Sequence, residues 1–365
     1  VEKLTGAANG DGGTDGVDGK GEHWKVTTAD GTQYFFGRNR LPGWKDNDAA
    51  ADDPVTNSTW TVPVFGNQTG EPCHDSSFAD GWCQQAWRWQ LDYVVDPHGN
   101  AMAYYWNTEK NNYGRNVSET TGESTVTSYV RGGWLDHIDY GLRDDAVYTG
   151  KAMGKVEFGV DERCLTDCGT FDETKAGNWP DVPYDLYCKD GATECKDQYS
   201  PSFWSRKRLT GITTKVLTGG AYKDVDTWTL DQNFPPSGDG ISTPMWLKSI
   251  QRSGKSGGTV TLPTVTFAGQ QLANRVDRTG DGLAPFIRLR LYQITTETGG
   301  TIGVTYSQPG CTTSTLPAAD ASNDHVLLPG EVGVRGRNGA SSTGSTPTWS
   351  SRSSRATTSS SPRTR

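Results

Sequence analysis

The sequence of 365 residues lacks the hallmarks of several large protein classes. It contains only 3 Met, and its 45 Gly and 18 Pro interrupt every helical periodicity before it reaches 12 residues. No apolar run approaches the roughly 20 residues of a membrane-spanning helix. The net charge is −8. Six of the Arg residues lie in residues 325–365, so the rest of the chain is more strongly acidic than the overall charge indicates. Nucleic-acid binding, which needs a basic surface, is therefore not expected.

Catalytic signatures are also missing. No nucleophile elbow, zinc-protease motif or phosphate loop occurs, and the five histidines are scattered singly, with His137 placed between Asp136 and Asp139. Asp224 and Asp226 would share one face of a strand about 7 Å apart, a separation that an inverting glycosidase can use. A solvated strand face explains the two carboxylates more simply. We expect no enzyme and no cofactor.

The seven cysteines fall mostly in close pairs. Short polar loops bracketed by cysteine are typical of disulfides in exported proteins. The alternative is a zinc site built from four of these thiolates, although their spacing lacks the tight pairs of zinc ribbons. Cys311 has no neighbour. The disulfide candidates are Cys73 with Cys83, Cys164 with Cys168, and Cys188 with Cys195; the last four are also the zinc candidates.

Aromatic residues, by contrast, are abundant, with 13 Trp and 14 Tyr. In residues 87–106, Trp and Tyr alternate with polar residues, turn chemistry follows at residues 96–100, and an aromatic-rich segment returns, which predicts a β-hairpin. A second hairpin is predicted from residues 24–36 around an Asp-Gly turn. The polar residues 107–127 read as a long exposed loop. Trp82, Trp87 and Trp89 could form a sugar-stacking platform, or they could simply cover the inner face of a sheet.

Similar hairpins recur farther along the chain. A Leu-x-x-(Ile/Val) pattern appears five times between residues 91 and 294, and three strands run to a double glycine at residues 219–220, 257–258 and 299–300. Hairpins that cannot bury their faces alone are expected to stack side by side. The sequence therefore predicts an all-β fold of repeated antiparallel hairpins, forming a curved sheet or shell segment with long loops.

The two ends of the chain differ from this body. Residues 1–22 are rich in Gly and Asp and are interpreted as a flexible linker. Residues 324–365 are dominated by Ser, Thr, Arg, Pro and Gly and are predicted to be a disordered tail. A weak calcium-loop pattern begins at Asp277, Thr279 and Asp281, but its twelfth position is Arg288, so a plain Asp-Gly turn is favoured.

The segment Asp96-Pro97-His98-Gly99-Asn100, followed by Tyr104 and Tyr105, resembles the YD repeat of RHS-repeat proteins. The segments 34–44, 199–204 and 267–275 resemble the region upstream of the repeats in large secreted bacterial RHS proteins, and the resemblance covers residues 22–323. It implies a β-sheet strip that spirals into a hollow shell around a toxic C-terminal cargo. The self-cleaving core motif and the toxin tip of such proteins are not visible in these residues.

Two departures from the family pattern lead to further expectations. The resemblance implies that the chain starts partway through such a protein, and the sequence departs abruptly from the family pattern after Asn323. Residues from about Asp324 onward have the composition of GC-rich codons read out of frame, which predicts a frameshift; a genuine linker is the alternative. Reading the coding DNA in the other frames tests this.

Together these patterns predict a non-enzymatic shell segment of an exported RHS-repeat protein of the polymorphic-toxin type. Its expected location is secreted or at the cell surface, and its expected partners are downstream RHS repeats and a C-terminal cargo. The alternative is a carbohydrate-binding cell-surface module that uses exposed Trp, and a hydrolase is a third hypothesis.

Overall fold

The structure is a computed structural model, which describes residues 1–12, 21–46, 52–241, 243–277, 280, 282–307, 312–315 and the backbone of 332–337. Its regular elements are β-strands and two single-turn 3-10 helices, Ala176–Asn178 and Tyr184–Leu186. The all-β prediction is confirmed. The strands are β1 (Glu2–Leu4), β2 (His23–Thr27), β3 (Gln33–Phe36), β4 (Thr59–Phe65), β5 (Trp82–Trp89), β6 (Leu91–Val95), β7 (Asn100–Arg115), β8 (Thr125–Arg143), β9 (Gly154–Glu162), β10 (Lys207–Thr218), β11 (Ala221–Asn233), β12 (Trp246–Gly254), β13 (Val260–Thr261), β14 (Val265–Ala273), β15 (Ile287–Thr295), β16 (Thr301–Tyr306) and β17 (Val332–Arg337).

One large antiparallel sheet contains 15 of the described strands, and their spatial order follows the chain order. Two departures occur among the described strands: β13 pairs only with β12, beside the path from β12 to β14, and β4 and β5 leave the main sheet between β3 and β6 and pair with each other in a second, two-stranded sheet. Sequential hairpins need only short turns, so this arrangement follows from the spacing of turn residues along the chain. The sheet is open and does not close into a barrel.

Glycine and aspartate shape the tight turns. Gly219 and Gly220 both have positive φ, 61° and 81°, as a two-residue hairpin turn that follows the strand twist requires. At the turn between β6 and β7, the carboxylate of Asp96 accepts hydrogen bonds from the backbone N–H groups of His98 and Asn100, at 2.8 and 2.9 Å. The turns at 30–31, 96–99 and 219–220 were all predicted, because these residues favour turns by local chemistry.

Two sequence expectations about the central aromatic region were wrong. Trp87 and Trp89 lie in β5 of the small sheet, whereas the predicted hairpin begins only at Leu91, because the chain changes sheets at Gln90. The supposed loop at 107–127 is mostly strand: β7 runs to Arg115 and β8 begins at Thr125. The β7–β8 hairpin therefore extends well beyond its strand neighbours, since β6 pairs only with residues 101–103 and β9 only with 137–140.

The N-terminal segment is more ordered than its composition suggests. β1 pairs with β2, and the carboxylate of Asp11 is buried, accepting hydrogen bonds from the backbone N–H groups of Ala86 and Glu22 at 2.8 and 2.9 Å. The interpretation of residues 1–22 as a linker does not hold for 1–12 and 21–22, which pack onto both sheets. Residues 13–20 lie outside the described part of the chain.

Buried apolar residues are concentrated in the N-terminal half. One core cluster packs around Tyr93, Ala103 and Tyr105, a second around Tyr113 and Tyr129, and a third around Trp179. After Cys195, Val304 is the only buried hydrophobic residue in the described part of the chain. Strands β10–β16 thus form a sheet region whose two faces are both partly exposed.

The C-terminal tail is described only at β17, whose backbone pairs antiparallel with β16. For these six residues the structure differs from the expectation of a disordered tail. The rest of the predicted tail, together with Cys311, lies outside the described residues.

Candidate functional site

The six paired cysteines form three disulfides that close short loops. Cys73 joins Cys83, Cys164 joins Cys168 and Cys188 joins Cys195, with Cα–Cα distances of 5.2, 5.8 and 5.6 Å. The thiolates of the alternative zinc site are therefore engaged in S–S bonds. Two of these loops belong to the insertion 163–206 between β9 and β10. Asn112 donates hydrogen bonds to the backbone oxygens of Cys188 and Lys189, at 3.1 Å each, and so ties this insertion to β7.

The three candidate sugar-stacking tryptophans all lie on β5 and are half-buried. The guanidinium of Arg115 lies 4.0 Å from the Trp82 ring centre. Trp87 packs against Phe203 and Trp89 packs against Trp24, with ring centres 4.4 and 5.9 Å apart. The indole N–H groups of Trp87 and Trp89 donate to backbone oxygens. These contacts join the small sheet to its surroundings and leave no shared aromatic platform on β5.

The remaining candidate residues do not converge on a reactive centre. Asp277 pairs with Arg275 at 2.9 Å, while Thr279 and Asp281 lie outside the described residues. Asp224 lies 3.6 Å from Lys215, and Asp226 pairs with Arg252 at 3.1 Å. Within the described ranges, no three His, Cys, Asp or Glu side chains gather as a metal site would require.

His137 has the most elaborate surroundings of the histidines singled out from the sequence. Its Nδ1 lies 2.7 Å from the Asp136 carboxylate, and its Nε2 lies 3.9 Å from that of Asp139. Its ring stacks on Tyr105 at 4.5 Å, and Lys155 pairs with Asp139 at 3.2 Å. The carboxylates orient the imidazole, and among the described residues no Ser or Cys side chain is hydrogen-bonded to it.

A cleft opens where β8 parts from β9, and we call it the junction cleft. It consists of two pockets of about 300 and 330 Å³ that share Trp134 and Lys207 as wall residues. The cleft exists because β8 pairs with β9 only at residues 137–140, while β9 continues alongside β10. The smaller, polar pocket is lined by Thr108, Glu109, Lys110, Arg131, Trp134, Tyr187, Asp190, Arg206 and Lys207, and the larger, apolar pocket by Gly133, Trp134, Leu135, Phe158, Val160, Ser205, Lys207, Arg208 and Leu209.

A buried ion pair forms the base of the polar pocket. Nη2 of Arg131 lies 3.0 Å from Oε1 of Glu109, and the two side chains are only 4% and 5% exposed. Glu109 also accepts hydrogen bonds from the hydroxyl of Ser205 at 2.6 Å and from the backbone N–H of Arg206 at 2.9 Å. The Arg131 guanidinium lies 3.4 Å from the Trp204 ring centre. Burial lowers the pKa of Arg131, and the charge of Glu109 only partly opposes this shift.

Arg131 is nevertheless incompletely satisfied. Its Nε and Nη1 are buried and have no hydrogen-bond partner among the described residues. Unpaired buried donors cost free energy, on the order of 1–3 kcal/mol each, and are rare in folded proteins. The polar pocket therefore contains a desolvated cation with unused donor capacity.

Glu162 pairs with two residues that line the cleft, Arg206 and Lys207. Its carboxylate lies 2.6 Å from Nζ of Lys207 and 2.8 Å from Nε of Arg206, and it accepts a hydrogen bond from the Trp179 indole at 3.0 Å. Burial acts to raise the pKa of Glu162, but the hydrogen bonds from Lys207 and Trp179 and the charge of Arg206 outweigh it, so the pKa is lowered. This shared carboxylate holds Lys207 at the boundary between the two pockets.

Sequence reasoning missed the junction cleft entirely. Its residues come from β7, β8, β9, β10 and the insertion, so no local spacing brings them together. The only signal was Arg131 itself, a charged residue in the strand segment 129–135, which also contains Tyr129 and Trp134. A buried charge on a strand must find a partner, and Glu109 on the adjacent strand is that partner.

A second buried carboxylate, Asp92, fixes the start of β6. It is fully buried, and its Oδ2 accepts hydrogen bonds from Ser58 at 2.7 Å, the backbone N–H of Asn39 at 2.8 Å and Thr56 at 3.0 Å. Burial raises the pKa of Asp92 to about 6, against the lowering effect of these hydrogen bonds. The carboxylate thus ties the start of the small sheet to the main sheet.

An aromatic surface lies beside the Cys73–Cys83 loop. Phe78 is 62% exposed and stacks on Phe65, with ring centres 5.1 Å apart and planes inclined by 15°. A pocket of about 370 Å³ is lined by both rings together with Tyr113, Tyr199 and Asn116. Oδ1 of Asn116 is buried without a hydrogen-bond partner in the described structure.

Comparison with known proteins returns only distant similarity. No protein-family model and no curated protein matches the chain. A crystal structure of TcdB2-TccC3-Cdc42 aligns with 79% of this chain and 15% of its own chain, at 14% identity and a TM-score of 0.27. The Photorhabdus luminescens Tc holotoxin pore aligns with 80% of this chain and 13% of its own, at 13% identity and a TM-score of 0.29. The N-terminal domain of the effector SpvB from Salmonella typhimurium aligns with 64% of this chain and 65% of its own, at 13% identity and a TM-score of 0.26.

These similarities are too low to carry an argument about function. The chain spans only about a seventh of the Tc toxin chains that it resembles. Within the described residues, no helix is long and apolar enough to cross a membrane. The three disulfides are compatible with an extracellular location.

Proposed function

We propose that the chain is a non-enzymatic wall segment of an exported RHS-repeat protein of the polymorphic-toxin type, with downstream repeats and a C-terminal cargo as its partners. The observation that carries the proposal is the sheet region β10–β16, which has almost no buried apolar residue of its own. A strip of hairpins with both faces half-exposed suits a wall that is completed by further strands and encloses something else. The sequence resemblance to RHS proteins supports the same role.

The charges of this region favour a passive surface. Lys215 pairs with Glu157 at 2.7 Å, and Asp226 pairs with Arg252 at 3.1 Å, each across neighbouring strands. Cross-strand pairs of opposite charge stabilise strand pairing. Acid–base chemistry instead needs a group held within hydrogen-bonding reach of a substrate, whereas these carboxylates are occupied by their basic partners.

Protease protection tests the proposal. The longest natural reading frame that contains this chain is expressed, and trypsin cleavage of the region that follows residue 365 is monitored by mass spectrometry. We expect that region to resist cleavage in the wild type and in Thr213→Val, which keeps the strand. Thr213→Pro, which removes a donor between β9 and β11, should expose it. A reading frame without further repeats, or cleavage that is equally fast in all three proteins, would refute the wall.

Carbohydrate binding is the second candidate, and the aromatic surface at Phe78 favours it over the tryptophans of β5. An exposed, stacked ring pair offers an apolar face for a sugar, and the unpartnered Asn116 oxygen can accept a hydroxyl proton. A glycan array probed with the wild type and Phe78→Ala tests this candidate. Binding lost in Phe78→Ala but kept in Trp87→Phe would support it, and no bound glycan would remove it.

A further inference from the structure

The junction cleft combines an apolar wall with a cationic one. Five basic side chains line its two pockets, Lys110, Arg131, Arg206, Lys207 and Arg208, against two lining acids, Glu109 and Asp190. Two further carboxylates lie next to the pockets: Glu162 pairs with Arg206 and Lys207, and Asp161 pairs with Arg208. The chain as a whole is acidic, with a net charge of −8, so this concentration of positive charge runs against the average surface. Charge that opposes the protein's own background marks a place where an anion is favoured.

The basic groups are not fully neutralised by their protein partners. Glu162 is shared between Arg206 and Lys207, and Glu109 is shared between Arg131 and two neutral donors. Lys110 is exposed and forms no ion pair within the described part of the chain. Arg131 keeps two donors without acceptors. One additional carboxylate at this wall would improve the balance of both charge and hydrogen bonds.

The other pocket has a different chemistry. Trp134, Leu135, Phe158, Val160 and Leu209 form a largely apolar surface around a volume of about 330 Å³. That volume suits a bicyclic aromatic group, and burial of apolar surface contributes about 25 cal/mol per Å². Lys207 stands where the two pockets meet, with its Nζ 5.4 Å from the Trp134 ring centre.

We propose that the junction cleft binds a small aromatic carboxylate, with the ring in the apolar pocket and the carboxylate toward Lys207 and Arg131. A ligand of this kind places each of its halves against the matching wall. The inference does not rest on the wall function, because a passive wall and a binding protein can both contain such a site. It rests on the buried, under-satisfied Arg131 and on the apolar pocket beside it.

Isothermal titration calorimetry with matched probes tests the proposal. Naphthalene-2-acetate and 2-(naphthalen-2-yl)ethanol share the ring and differ in the charged group. The full chain, with its disulfides intact, should bind the carboxylate at least tenfold more tightly, a difference of about 1.4 kcal/mol. In Lys207→Met, affinity for the carboxylate should fall about tenfold while affinity for the alcohol stays unchanged, because only the charged contact is lost.

Lys248→Met provides the matched control, because Lys248 forms an exposed ion pair with Asp231 and lines neither pocket of the cleft. It should leave both affinities unchanged. If Lys207→Met fails to fold, Lys110→Met replaces it, with an expected loss of about threefold for the carboxylate only. Equal binding of the two probes, carboxylate binding weaker than about 1 mM, or an unchanged affinity in the lysine variants would overturn the proposal.

Discussion

Neutralising Glu109 should destabilise the protein far more than its single charge suggests. Glu109→Gln leaves Arg131 buried with a neutral, weaker partner. It also replaces one acceptor oxygen of the carboxylate by an NH2 group, which would face hydrogen-bond donors. The lost contacts are the 3.0 Å ion pair and part of the hydrogen bonding to Ser205 and Arg206. Breaking a buried ion pair by removing one partner costs about 3–5 kcal/mol. We expect a loss of this size in the free energy of unfolding.

An exposed pair of similar geometry supplies the control. Lys248 and Asp231 also lie 3.0 Å apart, but their side chains are 60% and 53% exposed. Asp231→Asn removes the same formal charge, and exposed pairs contribute about 0–1 kcal/mol. The contrast between the two variants isolates the effect of burial from that of charge.

Urea unfolding of the oxidised protein, followed by near-UV circular dichroism, measures both variants. A double variant, Glu109→Gln with Arg131→Met, removes the stranded cation and should recover part of the loss. The effects of neighbouring residues in one network are coupled by about 0.5–3 kcal/mol. The reasoning is wrong if Glu109→Gln costs no more than Asp231→Asn, or if the two changes at the cleft are simply additive.

Three other predictions concern different parts of the molecule. The pKa of Asp92 in the folded protein lies near 6, above its ordinary 3.8, so the folded state holds this proton more tightly than the unfolded state. The wild type should therefore lose stability relative to Asp92→Asn as the pH rises through 6, by on the order of 2 kcal/mol between pH 4 and 7. A difference in unfolding free energy that does not depend on pH would contradict this. Replacing Cys188 and Cys195 by Ala should lower the stability of the insertion by about 2–3 kcal/mol and speed hydrogen exchange at residues 184–198. Replacing Cys73 and Cys83 by Ala should speed exchange only at residues 73–83. Identical exchange maps for the two variants would argue against local loop closure. Gly133→Ala places a methyl group 2.2 Å from the backbone oxygen of Asn107, so it should lower the free energy of unfolding in urea by more than about 2 kcal/mol. In the control Gly211→Ala the nearest atom to the methyl group is 3.5 Å away, and the loss should be less than half as large.

The parts of the fold that could be predicted from sequence are those set by neighbours along the chain. The hairpin of β2 and β3 follows from period-two alternation around an Asp-Gly turn. The hairpin of β10 and β11 follows from a recurring Leu-x-x-Ile start and a Gly-Gly turn. The disulfide loops were also visible, because each joins cysteines at most 10 residues apart. Local information was sufficient in each case.

The errors arose where distant segments decide the structure. The alternation from Trp87 to Tyr93 continues smoothly through Gln90, yet the backbone of Gln90 bonds to Ser58 on one side and Gly37 on the other, and there the chain changes sheets. Period-two patterning reports a buried face but not the identity of the strand that pairs with it. A change of partner therefore leaves no trace in the pattern.

The extended β7–β8 hairpin shows the same effect for polar residues. Asn111 looks like a loop residue, but it is buried, donating to the backbone oxygen of Leu186 and accepting from the N–H of Cys188. The insertion between β9 and β10 supplies these partners from more than 70 residues away. The polar composition of residues 107–115 is thus a requirement of the insertion that covers them.

The junction cleft follows from this same division of the sheet. The β7–β8 hairpin extends beyond the residues that pair with β6 and β9, so its far end must be covered by the small sheet and the disulfide-closed insertion. Where that cover meets the main sheet, a charged residue on β8 is enclosed between the two, and Glu109 and Glu162 hold the surrounding donors in place. Farther along, β10–β16 have no such cover, and the buried carboxylate of Asp239, between β11 and β12, pairs with the half-buried Arg288 at 2.9 Å. The proposed binding site therefore lies in the covered half of the described chain, and the open half retains the exposed faces that the proposed wall segment requires.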